Sequence, residues 1–140
     1  MKGKVVWNEG MSFNAELDGF NFIIDADEKV GGKNLGPMPK GLTLISLAGC
    51  TGMDVISILK KMRVEVDSFE VSTEAILTEE HPKRFTNIKV FYDFKGDNIP
   101  PEKVKKAVSL SEDRYCGVSA TLKSSVEITN EIKINGKIIE

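Results

Sequence analysis

The chain has 140 residues, of which 41% are hydrophobic and 29% charged, and its net charge is −2. This length favours one domain over residues 1–140 with a real hydrophobic core, and the composition is ordinary for a globular protein. The nearly balanced charge gives no electrostatic footprint for nucleic acid or for an anionic membrane surface, so we expect neither as a partner.

The start of the chain and its apolar runs predict a cytoplasmic protein. Met1 to Lys4 leads into a strand pattern and not into the apolar region of a secretory signal. We find no run that approaches the roughly 18 apolar residues of a membrane span. In a reducing compartment Cys50 and Cys116, the two cysteines of the chain, do not form a structural disulfide framework. They are either inert or redox-active.

The N-terminal part predicts an antiparallel meander followed by a loop. Turn signals at residues 8–10 and 18–19 separate three short strands. Gly31 to Pro39 is a loop by its glycine and proline content, and it has no Gly-rich pattern that would cradle a phosphate. The predicted strands are Gly3 to Trp7, Ser12 to Leu17 and Asn21 to Asp25.

The longest apolar block, from Pro39 to Arg63, predicts a central helix with Cys50 near its middle. Apolar side chains fall on more than one face of its first half, so we expect that half to be wholly buried. Gly49 and Gly52 flank the cysteine and leave room for another chain segment or a substrate to approach the sulfur.

A possible capping box lies immediately after the first cysteine. Thr51 followed by Asp54 has the spacing of such a box, which predicts that a second helix starts just past Cys50. A thiol beside a helix N-terminus is shifted toward thiolate. The same segment also fits a different interpretation, in which Cys50 is a small buried residue at a helix crossing.

The remainder of the chain predicts two strands, a pair of helices and a last strand. Cys116 lies at the start of the second helix of that pair. His81 is the only histidine and lies in a turn, so we expect no metal site and no cofactor. The predicted elements are strands at 64–77, 85–94 and 125–134, a helix with the buried stripe Val104, Ala107, Val108 and Leu110, and a short helix within 114–122.

The order of these elements predicts an α+β fold with segregated layers and a very apolar central helix. A second copy of the chain would be one way to cover that helix. With these elements and its two cysteines, the chain resembles the OsmC-type proteins, the family of osmotically inducible protein C and the organic hydroperoxide resistance proteins. The resemblance extends over essentially the whole chain and includes the opening KVVWNEGMSF. Its main blocks are PKGLTLISLAGCTGMDVISILKKMR, HPKRFTNIKVFYDFKGD and AVSLSEDRYCGVSATL.

The resemblance implies an OsmC-like fold of antiparallel strands around a buried central helix with a C-terminal helix pair. It also implies an intertwined homodimer with active sites at the subunit interface. Cys50 would correspond to the family's peroxidatic cysteine and Cys116 to its resolving cysteine. The implied reaction is two-electron reduction of a hydroperoxide in oxidative-stress defence, after which a dithiol reductant restores the thiols.

Two features of the family's reductases have no counterpart in this sequence. Those members carry a carboxylate near the start of the central helix, whereas Pro39-Lys40-Gly41 offers none. They also use an arginine from the early strands, whereas no arginine precedes Arg63 here. Lys40 and Arg114 are the candidate cations for stabilising the thiolate, Lys40 as a mobile point charge.

We therefore carry two functions forward from the sequence. The first is a cysteine-based hydroperoxidase acting through Cys50 and Cys116. The alternative is a non-enzymatic dimeric module that binds a small apolar or thiol-bearing ligand and has structural cysteines. A third interpretation is a distinct thiol chemistry, such as acyl or thiol transfer.

Overall fold

The computed structural model of the chain describes residues 1–139. Their contacts define two units, Met1–Thr43 and the part from Leu44 onward. The single-domain expectation therefore stays a prediction. In chain order the elements are strands β1 (Gly3–Glu9), β2 (Ser12–Leu17) and β3 (Phe20–Ile24), helix α1 (Pro39–Lys61), strands β4 (Ser68–Leu77) and β5 (Phe85–Lys95), helices α2 (Pro101–Leu110) and α3 (Gly117–Leu122), and strands β6 (Glu127–Ile134) and β7 (Lys137–Ile138).

The first unit contains the predicted meander. Strands β1, β2 and β3 are antiparallel neighbours in that order. Asp18 and Gly19, between β2 and β3, have φ angles of 48° and 92°. Positive φ at both central residues is the geometry that lets a two-residue turn follow the twist of its strands.

A buried carboxylate organises the loop that follows β3. Asp25 is 2% exposed and accepts hydrogen bonds from the backbone N–H groups of Ala26, Lys33 and Leu35 at 2.7, 3.0 and 3.2 Å. Burial by itself would raise the pKa of Asp25, but the N–H groups of Leu35, Ala26 and Lys33 outweigh it and lower the pKa below 3.8. The loop predicted from glycine and proline content is thus held in place by one side chain.

Helix α1 is continuous from Pro39 to Lys61, so the predicted second helix start just past Cys50 is wrong. The hydroxyl of Thr51 donates instead to the carbonyl oxygens of Leu47 and Ala48, at 3.0 and 3.2 Å. Threonine hydroxyls inside a helix commonly bond back to the preceding turn in this way. Cys50 therefore lies in the interior of α1, and no helix starts beside it within that segment.

The expectation that the first half of α1 is wholly buried is also wrong for the single chain. Ile45, in that half, is 67% exposed, and the exposed side continues past Cys50 to Met53, which is 78% exposed. The helix buries one side, at Leu47, Ala48, Thr51, Val55 and Leu59. Apolar residues on several faces thus indicate one side packed in the core and a second side left uncovered by this chain.

The statement that no run approaches a membrane span also needs correction. By length and composition α1 could cross a membrane, since an 18-residue window has a mean hydropathy of 1.8. The core helix of a soluble protein meets the same criterion. In this fold Leu47, Val55 and Leu59 of α1 belong to the hydrophobic core.

The second unit is built on a sheet with the order β4-β5-β6-β7. Strand β5 supplies its buried face, because Ile88, Val90, Tyr92 and Phe94 are all fully buried, as their alternation predicted. Strands β5 and β6 pair in parallel, which differs from the expected all-antiparallel arrangement. In the chain, helices α2 and α3 come between β5 and β6. A connection of a dozen or more residues is long enough to return to the same end of the sheet, so the two strands can pair in parallel.

The core of this unit joins the sheet to both longer helices. Val104, Ala107 and Val108 of α2 are buried as predicted, whereas Leu110 is only partly buried. They form one cluster with β5, with the buried side of α1 and with Cys116. The α+β fold class is therefore confirmed, and the second cysteine lies inside its core.

Candidate active site at the cysteine pair

The structure brings the two cysteines together. Cys50 is half-buried on α1, Cys116 is 2% exposed, and both are free thiols. Their sulfur atoms lie within 4.8 Å of each other. A disulfide needs sulfurs at about 2.05 Å, so the two sulfurs must move closer before they can join.

Cys116 is the N-cap residue of α3, which confirms the predicted position of the second cysteine at a helix start. Its φ and ψ angles of −71° and 104° are extended, and its sulfur accepts a hydrogen bond from the Ser119 N–H at 3.3 Å. The Ser119 hydroxyl oxygen is buried and has no hydrogen-bond partner among the described residues. The sulfur is thus held from one side by a short helix.

A carboxylate completes the group. Asp54 follows Cys50 by four positions on α1, and one of its oxygens lies within 4.8 Å of both sulfurs. Residues four apart lie on the same face of a helix. The sequence analysis used Asp54 only as a capping residue, although its spacing from Cys50 was a signal that these two side chains are neighbours.

Ser111 links this carboxylate to the second cysteine. Its hydroxyl donates to Asp54 Oδ2 at 3.2 Å, and its carbonyl accepts from the Cys116 N–H at 2.8 Å. Ser111 is fully buried and begins a π-helical turn, Ser111–Tyr115, between α2 and α3. Single π turns inserted into helices occur frequently at functional sites. No pattern in the sequence predicts this turn.

In the reduced protein the surroundings of Cys116 favour its protonated thiol over the thiolate. Burial, followed by the hydrogen bond with Cys50, raises the pKa of Cys116 from 9.0 to about 11. The Ser119 N–H acts in the opposite direction but is weaker. Cys116 is therefore a poor nucleophile at neutral pH, because the thiolate is the reactive form.

A second polar group lies between the sheet and the π-helical turn. The Tyr92 hydroxyl donates to Glu112 Oε1 at 3.2 Å, and the Asn130 amide donates to Glu112 Oε2 at 2.8 Å. Burial raises the pKa of Tyr92 and also that of Glu112. These residues, which the sequence analysis did not single out, anchor the π-helical turn to the sheet.

The two candidate cations differ in placement. Lys40 is exposed in the first turn of α1, ten positions before Cys50 in the same helix. Arg114 is exposed in the π-helical turn, with its guanidinium carbon 5.8 Å from the centre of the Tyr115 ring. One acid, Asp54, lies beside both sulfurs.

The glycines that flank Cys50 have different surroundings. A Cβ at Gly52 would lie 3.3 Å from Val71 Cγ2, so α1 approaches strand β4 closely there, whereas a Cβ at Gly49 would meet nothing within 4 Å. An apolar groove runs along this side of the helix, with Ile45, Met53 and Ile56 on α1 facing Phe69 and Val71 on β4.

Comparison with known proteins gives a consistent family. The sequence model described as OsmC-like protein matches residues 31–131. Protein YhfA of Escherichia coli strain K12 is 33% identical over 135 residues, which is 96% of this chain and 98% of that protein. Such identity over nearly the full length of both chains indicates common descent.

Solved structures agree with the family at two levels of similarity. A hypothetical protein from Aquifex aeolicus VF5 has 29% identity and a TM-score of 0.79, with 96% of each chain covered. The organic hydroperoxide resistance protein OhrB of Bacillus subtilis has 18% identity and a TM-score of 0.69, covering 95% of this chain and 98% of that one; this second likeness concerns the fold alone. With its paired cysteines and its OsmC-like fold, the chain belongs to the OsmC-like protein family.

Proposed function

We propose that this protein is a thiol-dependent redox protein that reduces organic hydroperoxides through Cys50 and Cys116. The observation that carries the proposal is the approach of the two sulfurs to within 4.8 Å. Cys50 is the more exposed of the two, which suits it to meet the substrate. Cys116 is buried in the core, which suits it to react with the sulfenic acid that forms on Cys50.

In the first step the Cys50 sulfur attacks the terminal oxygen of the hydroperoxide. The O–O bond breaks, the sulfur becomes a sulfenic acid, and the alcohol leaves with the proton that the thiol gave up. Asp54 is the carboxylate near both sulfurs. We assign to it the transfer of that proton from the thiol to the departing alkoxide.

In the second step the Cys116 thiol attacks the sulfenic sulfur. Because the raised pKa of Cys116 keeps the thiol protonated, we expect this step to be slow at neutral pH and faster as pH rises. Water leaves and a disulfide joins the two residues. An external dithiol then reduces the disulfide by thiol exchange and is itself oxidised. Each cycle therefore moves two electrons from the dithiol to the hydroperoxide and returns both cysteines to the thiol form.

The reaction should be slower than that of family members with an arginine–carboxylate pair beside the sulfur. Loss of such a preorganised contact costs on the order of 2–4 kcal/mol, about a hundredfold to a thousandfold in rate. Lys40 and Arg114 remain the proposed thiolate-stabilising cations, and Lys40→Ala or Arg114→Ala slows the first step if either fulfils that role.

We also propose that the protein acts as a cytoplasmic homodimer in oxidative-stress defence. The exposed apolar residues Ile45 and Met53 support a second copy as the cover for α1. Membership of the OsmC-like protein family supports the substrate class. The dithiol reductant is what the sequence resemblance to the OsmC-type proteins implies.

The apolar groove between α1 and β4 favours one alternative, a non-enzymatic module that binds a small apolar ligand. The two functions differ in the fate of the thiols. A binding module leaves Cys50 and Cys116 reduced after exposure to hydroperoxide, whereas the redox protein consumes hydroperoxide only with a free Cys50.

The test is the rate of cumene hydroperoxide consumption by reduced protein with a dithiol donor. We expect Cys50→Ser to abolish consumption and Cys116→Ser to allow a single turnover that stalls at sulfenic acid. Ser57→Ala, an exposed change on the same helix, is the matched control and should keep the wild-type rate. Consumption by Cys50→Ser at the wild-type rate would end the peroxidase proposal in favour of the binding module.

A further inference from the structure

The group formed by Cys50, Asp54 and Cys116 has the composition of a metal site as well as of a redox site. One ligand atom from each residue lies within 4.8 Å of the other two. A tetrahedral ion with sulfur ligands at about 2.3 Å and a carboxylate oxygen at about 2.0–2.2 Å brings the ligand atoms to about 3.5–3.8 Å from one another. Side-chain adjustments of roughly 1 Å would therefore close the group around an ion. The sequence analysis expected no metal site because it considered only the lone histidine.

We propose that the reduced chain binds one Zn²⁺ ion through Cys50 Sγ, Cys116 Sγ and an Asp54 carboxylate oxygen. A water molecule would supply the fourth ligand, as in zinc sites with three protein ligands. Two thiolates select a soft or borderline ion over Mg²⁺ and Ca²⁺, which prefer oxygen ligands. The site rests on this geometry and goes beyond the proposed reaction.

Hydrogen bonds from outside the group hold two of the ligands in place. The Ser111 hydroxyl donates to Asp54 Oδ2 at 3.2 Å, leaving the other carboxylate oxygen for the ion. The Ser119 N–H donates to Cys116 Sγ at 3.3 Å. Such outer contacts orient metal ligands and reduce the cost of ordering them.

The ligands also sit on elements that are themselves fixed. Cys50 and Asp54 are one turn apart on the long helix α1, and Cys116 is tied to Ser111 by the 2.8 Å hydrogen bond from its backbone N–H. Cys50 and Asp54 are each partly exposed, so an ion and its water can reach the site from solvent.

Metal binding and disulfide formation use the same two sulfurs and therefore exclude each other. Oxidation of the two bound thiolates by one hydroperoxide, with uptake of two protons, yields the disulfide, one alcohol and one water, and it releases Zn²⁺. The reduced chain thus holds the ion and the oxidised chain lets it go. While bound, the ion slows the reaction of Cys50 with peroxide, because the sulfur lone pair is shared with the metal.

The test is a titration of metal-free, reduced, full-length protein with Zn²⁺ in competition with a chromogenic chelator, without any peroxide. We expect one Zn²⁺ per chain with a Kd below about 1 µM, and a weakening of about tenfold or more in Asp54→Asn. Asparagine can still accept the Ser111 hydrogen bond, so the fold is kept. Asp113→Asn, an exposed acid in the π-helical turn, is the matched control and should bind as wild type does.

Co²⁺ substitution provides an independent readout. Wild-type protein should show thiolate-to-cobalt charge-transfer absorption, and Cys50→Ser or Cys116→Ser should each lose about half of its intensity, since one of two thiolates remains. Zn²⁺ should also slow alkylation of both cysteines in wild type and less so in Asp54→Asn.

Several results would overturn the site. These are a Zn²⁺ Kd above about 1 µM, binding that Asp54→Asn leaves unchanged, or equal binding by the disulfide form. Because the titration contains no peroxide, its failure leaves the proposed peroxidase reaction standing. Failure of peroxide consumption equally leaves the metal site standing.

Discussion

The reactivity of Cys116 gives the sharpest physical prediction, because the surroundings of this thiol raise its pKa and the thiolate fraction sets the rate of alkylation. With burial and the Cys50 hydrogen bond raising the pKa from 9.0 to about 11, the thiolate fraction at pH 8 falls from about one in ten to about one in a thousand. Alkylation of Cys116 in folded protein should therefore be about a hundredfold slower at pH 8 than in urea-unfolded protein.

The assay is site-resolved alkylation by iodoacetamide, followed by mass spectrometry, in reduced protein containing a metal chelator. The rate at Cys116 should keep rising about tenfold per pH unit up to pH 10 without a plateau. In Cys50→Ser the thiol of Cys50 is absent, so the rate at Cys116 should increase. A plateau below pH 9, or no difference between folded and unfolded protein, would refute the reasoning.

The raised pKa of Cys116 also makes the free energy of unfolding depend on pH. A thiol whose pKa is raised on folding contributes stability that is fully present below about pH 9 and is lost as pH rises toward 11. Denaturant unfolding of reduced wild type should therefore lose more stability over that interval than Cys116→Ala does.

Three further predictions concern the fold and the assembly. Asp25→Asn should lower the melting temperature at pH 7. Because the pKa of Asp25 is lowered in the folded protein, the stability that its carboxylate contributes is lost from wild type as pH falls below about 4. The melting temperatures of the two proteins should therefore converge in acid. Leu47→Ala, at a fully buried position, should reduce the free energy of unfolding by about 2–5 kcal/mol, and a cost below 1 kcal/mol in urea titrations would contradict the core assignment. Ile45→Glu, at an exposed position on the same helix, should leave the monomer folded but weaken the proposed dimer, and sedimentation showing unchanged association would refute that interface.

The fold was largely predictable because the elements carry strong local signals. The alternation of Ile88, Val90, Tyr92 and Phe94 predicted the buried face of β5, and their full burial confirms it. The parallel pairing of β5 with β6 was missed, because strand direction depends on how the helices between the strands cross the sheet. That information lies in the packing of distant residues and not in the periodicity of either strand.

The site was predictable only in part, for a related reason. The resemblance pointed to Cys50 and Cys116, and their sulfurs do approach each other. The local pattern at Thr51 and Asp54 was misread as a helix start, because a capping box and a helix interior with a back-bonded threonine share the same residue types. Ser111 could not be found from the sequence, since its role depends on the π-helical turn that brings it to both Asp54 and Cys116.

The central claim is that Cys50 and Cys116 of one chain form a disulfide when the protein reduces a hydroperoxide. The most direct measurement is peptide mapping by mass spectrometry after reduced protein reacts with one equivalent of cumene hydroperoxide. We predict loss of both free thiols and a peptide pair joined through Cys50 and Cys116, together with one cumyl alcohol per disulfide. Two free thiols per chain after complete exposure, or a disulfide that links different chains, would contradict the account.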